Sequence, residues 1–291
     1  MAVTGLAELG DTIPTIIEEA HYTEQFNAIM RGLAWNVTAG KGSTTNIPYF
    51  GNLAATVLTE KVDMINSETP VDTNVQITPY EAGLKVILTD DLIEDDQEDM
   101  KRVVGKLMGD AYEKMRDTHL TAQMDDAATS LCGSGNALTM GHIAAAKATL
   151  MGNTAAGGRA PEPYVVVIHP FHYLDIVDVV TPLVPTAGTT NVTGTQLTDD
   201  ILRNYSVGRL FGMNILQDGN IAFTAVSAKG GMFAQGRGGG LIYVSKREPT
   251  IEPERDASLR AWEFNYVGRF GVSEYLSQYV VELWADATAP A

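Results

Sequence analysis

The chain has 291 residues, 45% of them apolar, so it can bury a sizeable core as one large domain or two modest ones, and disorder of the whole chain is excluded. Thirty-six acidic against 20 basic side chains give a formal charge of −16, a surface that repels nucleic acid and anionic membranes. A single cysteine, Cys132, excludes an internal disulfide and fits a chain made in a reducing cytosol.

Residues 1–11 carry neither a basic start nor an apolar run, so no secretory signal is read there, and no stretch approaches the length of a membrane span. Residues 13–31 predict a short helix that docks as an arm. Pro14 lies in its first turn, and Ile16, Ile17, Ala20, Phe26 and Ile29 form an imperfect apolar stripe.

Residues 37–88 are the most informative segment, because they carry strand signals but too few large apolar residues to make a core. A Gly-, Thr- and Asn-rich stretch (38–46) leads into an extended limb (47–63), a polar tip (66–72) and a returning strand (73–88). The two limbs predict one long hairpin, with Gly51, Pro70 and Pro79 as local irregularities. Pro48, Tyr49 and Phe50 form its one aromatic-apolar cluster, followed by Leu53, Val57 and Leu58 on the same limb. A thin hairpin has no interior to hide them, so these six are the candidate assembly contacts.

A long amphipathic helix is expected over 96–129. Met100, Val103, Val104, Leu107, Met108, Ala111, Tyr112 and Met115 recur at helical spacing, and Lys101, Arg102, Lys106, Asp110, Glu113, Lys114 and Arg116 cover the other side. At 1.5 Å per residue it would run ~45–50 Å and act as a spine. Shorter elements follow: a helix over 141–151, a strand over 164–168, and a helix opened by His169-Pro170 that ends near 180. A Thr-, Gly- and Pro-rich loop (182–198) leads to a short helix (197–205) and then to strands separated by turn signals at Asp218-Gly219-Asn220, Lys229-Gly230-Gly231 and 236–240. A strand is read over 241–245. Within 259–270 the alternation of Trp262, Phe264 and Tyr266 with Glu263, Asn265 and Arg269 marks a half-buried strand, and 275–284 predicts another. A long helix leaning on such strands is an α+β arrangement.

Four features invite a chemical reading, and each has a plainer one. The acidic run 90–99 could attract a hard cation, but it lacks the Asp-x-Asp-x-Asp-Gly spacing; its carboxylates suit the capped, electropositive start of the spine helix. Gly236-Arg237-Gly238-Gly239-Gly240 matches neither phosphate-loop pattern and precedes a strand, so it reads as a turn or a close-packed loop at a symmetry contact. His169 and His172 are the one close histidine pair among five, and their spacing does not align both rings on one helix face. Cys132 lacks a persuasive base partner and reads as a packed thiol.

Taken in order, the segments resemble the major capsid proteins of tailed bacteriophages, the Hong Kong 97 capsid fold. Thr89-Asp90-Asp91-Leu92 feeding a long helix is similar to the family's extended loop and spine helix. Tyr164-Val165-Val166-Val167-Ile168-His169-Pro170 is similar to the strand and helix start of its axial domain, and Gly208-Arg209-Leu210-Phe211-Gly212-Met213-Asn214-Ile215 to that domain's small-residue hairpin. Residues 263–270, with Tyr266, Arg269, Phe270 and then Gly271, resemble the return strand of the peripheral domain. The resemblance covers nearly the whole chain.

It implies an N-terminal arm (1–36), an extended loop hairpin (37–88), a peripheral domain with the spine helix (89–132), an axial domain (133–240) and peripheral sheet strands (241–291). It further implies subunits that form hexamers and pentamers of an icosahedral shell around packaged double-stranded DNA, without turnover or cofactor and without specific DNA binding. Encounters with a scaffolding protein, the portal and a cement or decoration protein are implied too, and no membrane partner is. With no long scaffolding segment before residue 37, removal of a large leader is not expected. Some relatives lock their shells through a Lys on the loop and an Asn on a neighbour; Lys41 or Lys61 with Asn265 would be the candidates, and no glutamate can be placed beside them from the sequence. The alternatives are another virion component, or a cytosolic enzyme with an acid–base or metal site in residues 90–99. The arm separates these readings, because an enzyme gains nothing from a long core-poor extension and a shell subunit uses one to cover its neighbour.

Overall fold

A computed structural model describes residues 28–53, 55–61, 63, 68–70, 72–95, 100–153, 158–180, 209–224 and 226–287. Two sheets and a long helix set the architecture. The chain runs α1 (Met30–Leu33), β1 (Trp35–Thr38), β2 (Thr45–Phe50), β3 (Asp72–Ile77), β4 (Tyr80–Thr89), α2 (Asp90–Asp95) and α3 (Met100–Ala122), then a 3-10 turn Gln123–Asp126. It continues through β5 (Thr129–Ala137), α4 (Met140–Gly152), β6 (Tyr164–Ile168), α5 (Pro170–Val180), β7 (Arg209–Leu210), β8 (Met213–Gln217), β9 (Phe223–Thr224), β10 (Ser227–Ala234), β11 (Leu241–Asp256), β12 (Ala261–Glu274) and β13 (Val280–Asp286). The arrangement is α+β, as the sequence indicates.

Helix α3 spans 23 residues, about 35 Å at 1.5 Å per residue, and is shorter than the expected 96–129. Apolar spacing continues past its end through Met124 and Ala127, which is why the helical pattern overruns. The 3-10 turn buries Met124 completely, with Gly231 of β10 so close that a Cβ there would lie 2.7 Å from the Met124 sulfur. From Ala127 the backbone is extended, and the next strand begins. The buried face of α3 is Met108, Tyr112, Arg116 and Leu120, one residue per four, joined by Asp117 and Thr121. Arg116 was expected on the solvent side and is instead almost fully buried.

The four-stranded sheet has the order β1-β11-β12-β4, and α3 packs across one of its faces through Tyr112 against Tyr266 and Phe270. Strand β1 runs parallel to the start of β11, with Trp35 opposite Ile242 and Val37 opposite Val244. Its Trp35-x-Val37 alternation is only two apolar residues long, too brief to stand out from the Gly-rich sequence beside it. The returning limb of the expected hairpin divides at Thr78-Pro79. Its first half, β3, pairs with β2 in a two-stranded sheet, and its second half, β4, pairs antiparallel with β12, with Ile87 and Leu88 buried. Residues 80–88 are therefore core strand and not free arm. The proline cannot donate to a ladder, and the chain changes sheets at that point.

The second sheet has the order β5-β13-β10-β6-β8-β7, with β9 beside β10. Strand β6 is buried at every position, Tyr164 to Ile168, as a central strand with both faces covered must be. Strand β13 lies between β5 and β10 in this sheet, although the sequence placed 275–284 with the β11–β12 strands. The 3-10 turn Ser277–Tyr279 redirects the chain between the two sheets, so strand propensity alone does not assign β13. The expected loop 182–198, the helix 197–205 and most of the docking helix 13–31 lie outside the described residues.

The cores are continuous with this topology. One cluster joins α4, α5 and one face of the larger sheet through Leu138, Ile143, Leu150, Ile176, Val281 and Leu283. Another joins α1, α3 and both sheets through Met30, Tyr112, Leu120, Phe233, Tyr243 and Phe270. A small third cluster, Ile47, Ile77, Ile242 and Val244, fastens the β2–β3 hairpin to the other face of the four-stranded sheet. Phe270 is fully buried against Tyr80, Tyr112, His119 and Tyr243. Phe270→Ala is expected to lower subunit stability by about 3–5 kcal/mol and Ile77→Ala by about 2–5 kcal/mol in urea denaturation. An Ile77→Ala cost near zero would mean that the hairpin root is not part of the subunit core.

Candidate assembly surface

Strand β2 alternates, and the alternation sorts the candidate contacts. Ile47 and Tyr49 point toward the subunit, with Ile47 in the third cluster and the Tyr49 ring edge-on to Tyr275 at 6.1 Å between centroids. Pro48 and Phe50 point the other way, into solvent. Phe50 is 65% exposed, and beyond the strand Leu53 is 59%, Val57 99% and Leu58 62% exposed. Five of the six candidates thus form an open apolar row, and Tyr49 belongs to the subunit's own packing. The sequence missed Ile47 and Ile77 as the root that holds this row in place, because their partners Ile242 and Val244 lie about 165–195 residues further along the chain.

Polar contacts reinforce the root. The Lys246 ammonium donates to the Gly42 carbonyl, and the Ala39 N–H donates to the Ser245 carbonyl at 2.8 Å. Beyond Phe50 the described residues of the first limb have no strand partner, and Lys61 adopts a left-handed φ of 66°. The candidate surface is a short, anchored hairpin followed, among the described residues, by a segment without a strand partner.

The chemical candidates resolve into packing. Asp90 opens the short helix α2 and accepts both guanidinium arms of Arg255 from β11, while Leu92 beneath it is buried. Of the acidic run, residues 90–95 form the six-residue helix α2 and residues 96–99 lie outside the described residues. Among the described residues no three His, Cys, Asp or Glu side chains come together as a metal site. The Gly236–Gly240 loop closes on the subunit itself: a Cβ on Gly239 would lie 2.3 Å from the Ala234 carbonyl, and one on Gly240 would lie 2.7 Å from that of Tyr279. The close-packed reading holds, with the contacts made inside the subunit.

His169 accepts from the Phe171 N–H at 3.2 Å and stacks on Phe223, and the buried His172 Nε2 bonds the Ala285 carbonyl at 3.0 Å. Burial pushes both imidazoles below their usual range, so both are neutral packing groups. Cys132 donates to the carbonyls of Asn136 and Ala137, and burial raises its thiol pKa, which makes it a poor nucleophile. Asn265 lies in β12 with Lys85 of β4 and Glu252 of β11 directly across from it. A glutamate does stand beside Asn265, and the sequence could not place it.

Comparison with known proteins supplies the family. A family model described as phage capsid protein matches residues 72–281. No curated protein matches the chain. Among solved structures, a Mycobacterium phage Che8 protein is 18% identical with a TM-score of 0.72, covering 94% of this chain and 97% of its own. The capsid of cyanophage P-SCSP1u is 15% identical with a TM-score of 0.70, covering 99% and 96%. The capsid of a native GTA particle is 14% identical with a TM-score of 0.70, covering 99% and 100%. At such identities the likeness establishes the fold, the Hong Kong 97 type anticipated from the segment order. With the family model spanning most of the sequence, the chain belongs to the phage capsid protein family, the structural proteins of the virion head.

Proposed function

We propose that the exposed row Pro48, Phe50, Leu53, Val57 and Leu58 is the surface by which each subunit covers its neighbour, and that the subunits close into hexamers and pentamers of the shell. The observation that carries this is the division within one strand: Ile47 and Tyr49 are held by the subunit's own packing, while Phe50 on the opposite face stands 65% exposed. A root built into the fold presents the row at a fixed angle, so docking orders few additional residues. Burying an aromatic or large aliphatic side chain is worth roughly 1.5–3 kcal/mol, repeated at every copy of the contact. The domain division given by the resemblance is part of the same proposal, with residues 80–88 moved from the arm to the four-stranded sheet and 280–286 to the larger sheet, as are a scaffolding protein, the portal and a cement protein as partners.

The shell confines DNA without gripping it. Duplex DNA carries about one charge per ~1.7 Å, and a binder must present clustered Lys and Arg to release counterions. The basic residues of α3 are interleaved with acids, Arg116 is buried, and the chain as a whole carries −16. Packaged DNA therefore meets a wall that is neutral or negative.

Phe50→Ala with Leu53→Ala is expected to leave the subunit folded, with unchanged helix content by circular dichroism, while abolishing or weakening shells seen by electron microscopy. Unaltered shells would remove the arm from the assembly interface, and an unfolded subunit would return the row to the core. Isolated subunits are expected to show little affinity for duplex DNA at physiological salt; tight binding that falls steeply as salt rises would contradict the confining wall.

A further inference from the structure

Between α3 and the turn that follows β8, three polar side chains meet away from solvent. Asp117 is 1% exposed and Asp218 2%. Asn220 bridges the two carboxyls: its backbone N–H donates to Asp218 Oδ1 at 2.8 Å and its side-chain amide to Asp117 Oδ2 at 3.0 Å. Asp117 Oδ1 accepts the Met30 N–H at 2.8 Å, which ties the incoming N-terminal chain to the spine helix. The Asp218 N–H donates to the Ile168 carbonyl at 3.0 Å, which ties the turn to the end of β6. Asp218 Oδ2 has no donor, although the Asp117 carboxyl is its neighbour.

Two ionised carboxylates held this close and this deep would repel each other, and an oxygen without a donor would be left desolvated. A single proton removes both problems, since it neutralises one group and supplies the missing donor. We propose that Asp218 carries a proton directed at the Asp117 carboxylate, and that this forms a latch that joins the N-terminal chain, the spine helix and the β8 turn, tight while the proton is bound and weakened when it leaves.

Burial, then hydrogen bonding to Asp117, raises Asp218 to about 8, and the Asn220 N–H opposes the rise. Among the described residues no cation relieves the pair. From α3, Arg116 is taken up by Glu113 and Glu248, and His119 bonds Tyr80; from the N-terminal chain, Arg31 pairs with the same two glutamates. From the end of β6, His169 is held neutral by burial. The sign follows from linkage: unfolded, an aspartate releases its proton near 3.8, whereas folded Asp218 keeps it to about 8. Between those values the folded state holds one proton more, so stability from the latch falls as pH rises and levels off above the folded value.

Asp218→Asn tests this in the full-length chain, kept below the concentration at which it assembles. The asparagine oxygen still accepts from the Asn220 N–H, and its amide offers Asp117 a donor that does not titrate. The ratio of unfolding constants, wild type over variant, is expected to rise by up to about tenfold per pH unit between pH 5 and 8 and to flatten above. Glu274, raised to about 7 by burial and by Asp126, titrates in both proteins and cancels in the ratio. A ratio independent of pH overturns the latch. If the variant does not fold, amide exchange at Met30 and Asn220 in the unaltered protein decides: acceleration beyond the roughly tenfold per pH unit of base catalysis supports the latch, and acceleration at that rate alone overturns it.

Discussion

The crossing of the spine helix over the four-stranded sheet is fixed by a buried arginine. The Arg116 guanidinium lies over the rings of Tyr112, Tyr243 and Phe270, at 4.6, 5.5 and 5.7 Å from their centroids, and reaches Glu113 at 2.6 Å and Glu248 at 3.3 Å. Arg31 closes the group from outside, pairing with the same two glutamates and lying over Tyr243. Two cations and two anions cancel, and the aromatic faces replace the water that Arg116 gives up. Burial works against the Glu248 charge, but the Ser245 hydroxyl, Arg31 and Arg116 outweigh it and hold the carboxyl below its usual range. The planar guanidinium points at two carboxylates in fixed directions while its face lies on the rings, a combination that a lysine ammonium does not offer. Helix α3, strands β11 and β12 and the N-terminal chain are therefore set relative to one another by one side chain. Because the glutamates keep partial contact with solvent, the group contributes more to fixing this geometry than to net stability.

That arginine also marks where reading the sequence stops working. Arg116 shares the i, i+4 row of Met108, Tyr112 and Leu120, yet a charged residue is assigned to solvent by default, and the aromatic pocket that accepts it comes from strands more than 120 residues away. Local features were legible for the opposite reason. The Val-rich β6, the Pro170 start of α5 and the body of α3 are dictated by short-range patterns, and each appears where those patterns put it. Which sheet a strand joins is a long-range property. Strand β4 was read as arm because residues 80–86 alternate with few large apolar groups, and only its pairing with β12 and the packing of Ala82 and Leu84 under α3 make it core.

The candidate surface follows the same rule. The exposed row was legible from composition, since six apolar residues in a polar stretch must pack somewhere. The inward turn of Tyr49 was not, because it depends on Tyr275 arriving from the far end of the chain. The buried carboxyl pair left no sequence signal beyond a turn motif, Asp218-Gly219-Asn220, and a helical aspartate about a hundred residues earlier. Its chemistry exists only once the fold removes both from water.

A subunit that must associate through chosen surfaces also has to discourage association through others. Strand β11 pairs with β1 only from Ile242 to Ser245, so among the described residues its outer edge is open from there to Asp256. An open edge of that length is a template for any extended chain. Here the edge carries Pro249 and Pro253, which have no N–H to donate, together with Lys246, Arg247 and Arg255, and its register with β12 shifts twice between Ser245 and Thr250. Missing donors, charge and irregular register each make edge pairing less favourable. The same stretch that looks like a weak strand in the sequence is thus well suited to its place: it extends the sheet far enough for Arg255 to hold Asp90 at the base of α2, while leaving the apolar arm as the stickier surface.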